Sequence, residues 1–113
     1  MQGSANNANN ANKTNIDVAV LIAPDRLISE TRGAFRAAAL QQLDRLATGN
    51  DAGVMIIDLS QTVDIDASGL GMLVFIQKRA KEHGLSTALR HTPERVRNLL
   101  KLTLLEFLFE FRD

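Results

Sequence analysis

The 113-residue chain contains no cysteine, no tryptophan and no tyrosine, and each absence closes off a class of function. Without cysteine there is no disulfide framework, no thiolate zinc site and no cysteine nucleophile. Two histidines argue against a structural metal centre built from imidazoles alone. Aromatic residues amount to 4%, all five of them Phe, so the stacking platforms that hold bases or sugars are missing. No apolar run approaches the roughly 18–20 residues needed to cross a bilayer. An excess of one charge is lacking too. Thirteen basic residues balance thirteen acidic ones, which removes the electrostatic footprint of a non-specific nucleic-acid binder. The N-terminus has no basic region leading into an apolar core, so it does not read as a signal peptide, and a cytoplasmic domain is the expectation.

What remains is an aliphatic chain of ordinary globular balance, 45% hydrophobic and 23% charged, with the length of one domain. Residues 1–14, MQGSANNANNANKT, hold almost no apolar side chain to bury and read as a disordered tail, leaving residues 15–113 as the domain. The run Ile16–Ala23 suits a buried strand that stops at Pro24-Asp25. Phe35, Ala39, Leu43 and Leu46 then recur at helical spacing, predicting a helix from about Ser29 to Ala47, capped by Ser29 or Thr31 and stopped at Gly49-Asn50. Val54–Leu59 is a second strand. A second helix opens at Ser68 and runs to about His83, with Gly84 as its left-handed cap. Leu85–Arg90 reads as a third strand. Thr92-Pro93-Glu94 starts a third helix, with Pro93 at its first position, and Leu104–Phe111 closes as an edge strand. Alternating strands and helices predict an α/β fold: four to five strands in a mostly parallel or mixed sheet, packed with three to four helices.

The informative segment is Ile65-Asp66-Ala67-Ser68-Gly69-Leu70-Gly71, a loop running into the second helix. It lies where an acidic zone (Asp58, Asp64, Asp66) gives way to a basic one. From Gln77 to Lys101 there are seven basic residues and two acidic. A serine at a helix start either caps it or is presented for modification, since exposed N–H groups and the helix dipole favour an added phosphate. The residues alone favour the cap and leave both open.

Other chemistries fit poorly. Asp58 ends a strand as a receiver aspartate would, but the acidic pair and the lysine such a site needs are absent, so its expected role is to satisfy loop amides beneath the helix start. Gly69 and Gly71 lack the third glycine and acidic partner of a dinucleotide site. Ser68 has no base within reach in sequence, because His83 and His91 lie near or beyond the far end of its helix. Lys78-Arg79-Lys81 is interrupted by Glu82 and has no interleaved aromatics, so it reads as a solvated helix face.

Asp58-Leu59, a short loop through Val63, and then Asp66-Ala67-Ser68-Gly69-Leu70-Gly71 resemble the signature of the STAS domain family, which includes the bacterial anti-sigma factor antagonists. Arg95–Thr103 is similar to that family's third helix, and the resemblance spans about residues 16–111. The chain departs from the pattern at Ala67, where the family has a second serine, and at Leu104, where it often has glycine. The family's extra N-terminal strand is short or missing.

The resemblance implies that Ser68 is a phosphoacceptor, supported by Asp58, Asp66, Gly69 and Gly71. It implies a non-enzymatic switch whose partner is a serine-kinase anti-sigma factor carrying its own ATP, with no cofactor or metal in this chain. A different reading makes the chain an accessory subunit of a transporter or signalling assembly, with Ser68 only a cap. At 100° per residue, Met72, Leu73, Ile76 and Ala80 face the sheet, while Leu70 and Val74 fall among polar residues and Phe75 lies to the flank. The expected partner surface is an exposed apolar patch beside Ser68, made of Leu70, Val74 and Phe75 with Asp64 and Lys78, on a monomer or weak dimer.

Overall fold

The computed structural model describes residues 16–47 and 53–113. The expectations for a tail at 1–14 and for a helix stop at Gly49-Asn50 lie outside those residues. The elements in order are β1 (Asp17–Ile22), β2 (Arg26–Leu27), α1 (Arg32–Ala47), β3 (Gly53–Asp58), β4 (Asp64–Ile65), α2 (Ala67–Glu82), β5 (Ser86–Arg90), α3 (Glu94–Leu102), a 3-10 turn at Glu106–Leu108, and β6 (Glu110–Arg112). Four strands form one sheet in the order β1-β3-β5-β6, every neighbouring pair parallel. Each parallel pair is joined through a helix, as parallel pairing requires. β2 and β4 form a separate two-stranded parallel ladder.

Register decides which side chains meet. Ala19 pairs with Met55, Leu21 with Ile57, and Ile57 with Leu89, so these residues share the face on which the helices pack. Phe35, Ala39, Leu43 and Leu46 of α1 join them in one buried cluster, with Met72, Leu73, Ile76 and Ala80 of α2 and Val96 and Leu100 of α3. Each large aliphatic side chain withdrawn from water there contributes about 1.5–3 kcal/mol. On the other face Val54, Ile56 and Ala88 make a small second cluster beside the exposed Val18, Val20 and Ile22.

Three element boundaries differ from expectation, each for a local reason. α1 starts at Arg32 because the Thr31 hydroxyl turns back, accepting from the Ile28 amide (3.0 Å) and donating to the Arg26 carbonyl (2.6 Å). Pro93 is extended (φ −60°, ψ 147°) and caps α3 from outside instead of being its first residue. The C-terminal segment spends Glu106–Leu108 in a 3-10 turn, so only Glu110–Arg112 adds to the sheet, as its parallel edge.

Candidate functional site

The β4–α2 junction is organised by Asp66. It is the N-cap of α2, with extended backbone (φ −115°), and one carboxylate oxygen accepts the Gly69 amide at 2.9 Å. Its other oxygen accepts the Ser29 amide at 3.2 Å, tying the segment before α1 to the start of α2. These amides favour the ionised form, so the Asp66 pKa is lowered, by the Gly69 amide first and by those of Ser29 and Ser68 after it. The cap that the residue pattern favoured for Ser68 therefore belongs to Asp66. A carboxylate two residues ahead of the serine reaches the third amide of the helix first. Ser68 is the second residue of α2, within the first turn at the dipole's positive end, half-buried, its Oγ 3.5 Å from Ser29 Oγ.

The two glycines of the motif differ in kind. A β-carbon at Gly69 would overlap the Leu27 carbonyl oxygen and lie 2.8 Å from the Ile65 side chain, so its absence lets α2 close onto β2 and β4. At Gly71 a β-carbon would meet nothing within 4 Å. Space, not contact, is what Gly71 provides.

Asp58 is the last residue of β3 and is buried. One oxygen accepts the Ser60 amide at 2.8 Å, and the other takes both Nε (3.0 Å) and Nη2 (2.8 Å) of Arg90 at the end of β5. The Ser60 hydroxyl and amide, followed by Arg90, outweigh burial and lower its pKa to about 2. Asp58 thus holds the first turn of the β3–β4 loop, as expected, but the amides of α2 belong to Asp66. Its arginine partner was not legible in the sequence; only the parallel register places Arg90 opposite Asp58. Asp64 lies between Arg26 (3.6 Å) and Arg95 (3.8 Å), linking β2 to the start of α3.

The apolar patch expected beside Ser68 is not an exposed one. Leu70 and Phe75 are half-buried and pack against the core, and Val74 is half-buried as well, while Lys78 is exposed. The helical wheel placed them away from the sheet, but α1 lies alongside α2 and covers that flank. Phe75 carries Arg36 of α1 at 4.8 Å and Arg79 at 5.7 Å from its ring centre. The exposed apolar side chain next to the acidic loop is instead Val63, at 69% exposure.

Between α1 and α2 opens a cleft of about 550 Å³, lined by Arg32, Gly33 and Arg36 from one helix and Ser68, Gly71 and Phe75 from the other. A second groove of about 550 Å³ runs along α3 past Ile65, Arg95, Asn98, Leu99 and Leu102. Neither was read from the sequence, since no linear spacing connects Arg32 to Ser68. Among the described residues no helix is long and apolar enough to cross a membrane.

Residues 10–113 match the family model of the STAS domain. Among similar solved structures, a crystal structure of a Thermotoga maritima protein, provisionally described as an anti-sigma factor antagonist, is 26% identical with a TM-score of 0.73. That match covers 86% of this chain and 80% of the other. A sulfate transporter family protein from Wolinella succinogenes is 17% identical with a TM-score of 0.65, over 87% of this chain and 76% of that one. The murine solute carrier 26 member A9 anion transporter is 16% identical, also at 0.65, covering 75% of this chain and 13% of that one. These last two share the fold.

Proposed function

Given that the chain belongs to the STAS domain family, we propose that it is a phospho-switch of the anti-sigma factor antagonist type, acting in transcription regulation through a protein partner. Unmodified, it binds a serine-kinase anti-sigma factor and so frees a sigma factor; phosphorylated on Ser68, it lets go. The observation that carries this reading is the division of labour at α2. Asp66 caps the helix, and the Ser68 hydroxyl is left at the surface of its first turn for chemistry. In the transfer, Ser68 Oγ forms a bond to the γ-phosphorus of the partner's ATP as the bond to the bridging oxygen breaks. ADP leaves, and the hydroxyl proton passes to a base of the partner or to water. The chain supplies the acceptor, and the partner supplies the catalysis.

A phosphoserine adds a charge of about −1.5 to −2. Buried against a surface shaped for a neutral hydroxyl, it carries a desolvation penalty of several kcal/mol, and each 1.4 kcal/mol weakens binding tenfold. The expected loss of partner affinity is at least about a hundredfold. Incubation with the cognate kinase and ATP should place phosphate on Ser68 alone by mass spectrometry, and Ser68→Ala should bind the partner yet resist the kinase. Phosphate on Ser60 or Ser86 with Ser68 clean would overturn the assignment. Constant co-purification with a transporter, indifferent to phosphate, would replace the switch by an accessory-subunit role.

A further inference from the structure

Ser68 shares its cleft with two arginines that meet no carboxylate among the described residues. Arg26, Arg79, Arg90, Arg95, Arg97 and Arg112 each reach a carboxylate. Arg32 and Arg36 reach none among the described residues, although they stand one helical turn apart on α1 and line the same cleft as the Ser68 hydroxyl. Arg36 stacks on Phe75 at 4.8 Å. Stacking fixes the plane of a guanidinium while leaving its in-plane N–H groups for an anion. Each helix contributes a glycine to the lining of the cleft. Gly33 on α1 and Gly71 on α2 have no atom within 4 Å of where a β-carbon would stand. Glycine weakens a helix, and no close approach at either position requires it.

We propose that Arg32 and Arg36 are the receptor for the phosphoryl group carried by Ser68, which folds back into the α1–α2 cleft and is held there by charge-assisted hydrogen bonds. This rests on Ser68 being the phosphoacceptor. The paired guanidinium groups oppose the repulsion from Asp66 at the cap and from Glu30 just ahead of α1, so the modified chain remains folded and its two helices are bridged.

The test installs phosphoserine at position 68 during translation, so that no kinase is involved. Phosphorus NMR titration then compares the otherwise wild-type protein with Arg32→Gln/Arg36→Gln and with Lys101→Gln, which removes a charge on α3. Free phosphoserine titrates near pH 6. In the wild-type background and in Lys101→Gln the midpoint should lie about half a unit or more below that of the double variant, which keeps the helix terminus and Asp66 but not the arginines. Thermal melting should show phosphorylation raising the melting temperature only where both arginines are present. A midpoint indifferent to the double substitution would overturn the receptor. The acceptor reading fails separately: a cognate kinase that leaves Ser68 unmodified sinks the switch whatever the installed phosphate does. A kinase that modifies Ser68, together with such an indifferent midpoint, sinks only the receptor.

Discussion

Asp58 and Asp66 look alike in the sequence, each an aspartate beside a loop, yet they hold different things. Asp66 is exposed and takes two backbone amides; Asp58 is buried and takes one amide and a guanidinium. The difference is testable through pH. The Asp58 pKa is about 2 in the folded protein against an ordinary value of 3.8, so ionised Asp58 stabilises the fold by about 2 kcal/mol above pH 4. That contribution fades as pH falls from about 4 to about 2, where the folded form also takes up its proton. Asp58→Asn should therefore cost about 2 kcal/mol in urea unfolding at pH 7, and the gap between the two proteins should narrow toward pH 2. A gap that stays constant over that range would separate Asp58 from the acid sensitivity of the fold. The same contrast holds for the motif glycines. Sequence shows Gly-x-Gly; only the packed structure shows that Gly69 touches the Leu27 backbone while Gly71 opens a cleft.

Two helices end in the same way with different residues. After α2, Gly84 has φ +73°, its amide reaches the Lys81 carbonyl (3.0 Å), and the Leu85 amide reaches that of Ala80 (2.8 Å). After α3, Leu104 has φ +60°, with its amide on Lys101 (3.1 Å) and the Leu105 amide on Leu100 (2.8 Å). Both are Schellman endings, and the second places a bulky residue where glycine is at home. The Leu104 side chain is 78% exposed, so little burial offsets the strain. Leu104→Gly should stabilise the protein by about 1 kcal/mol, read as a rise of several degrees in thermal melting. A lower melting temperature would mean that the exposed leucine makes contacts worth more than its backbone costs. At this scale the sequence was most readable where a period had room to repeat. The core faces of α1 and α2 follow their 3.6-residue spacing, and the continuous apolar run of β3 reads as a strand buried on both faces. β2 and β4, two residues each, are too short to carry a period, and they are what seats Gly69.

Across the whole molecule, the helix wheel failed because it treats α2 as alone against a sheet. α1 packs beside it and turns the expected Leu70–Phe75 patch into half-buried packing, while its Arg32 and Arg36 line the same cleft as Ser68. A partner that reads Ser68, as proposed, would rest on what is exposed around it, and a large apolar side chain exposed in the acidic loop is Val63. Asp64 beside it is held by Arg26 and Arg95, so the segment leading to Asp66 is braced from β2 and from α3 before any partner arrives. Placing a charge at each apolar position separates docking from folding. Val63→Glu changes an exposed side chain and should alter stability by no more than about 0.5 kcal/mol, whereas Leu70→Glu inserts a carboxylate against the core at a cost of several kcal/mol. If Val63 lies under the partner, its replacement by a charge should weaken binding at least about tenfold, which corresponds to 1.4 kcal/mol of interface desolvation. Calorimetry with the proposed kinase partner and thermal melting on both variants give the answer. Val63→Glu binding like wild type would move the docking surface toward the α3 groove at Leu99 and Leu102, and Leu70→Glu melting like wild type would return Leu70 to the surface.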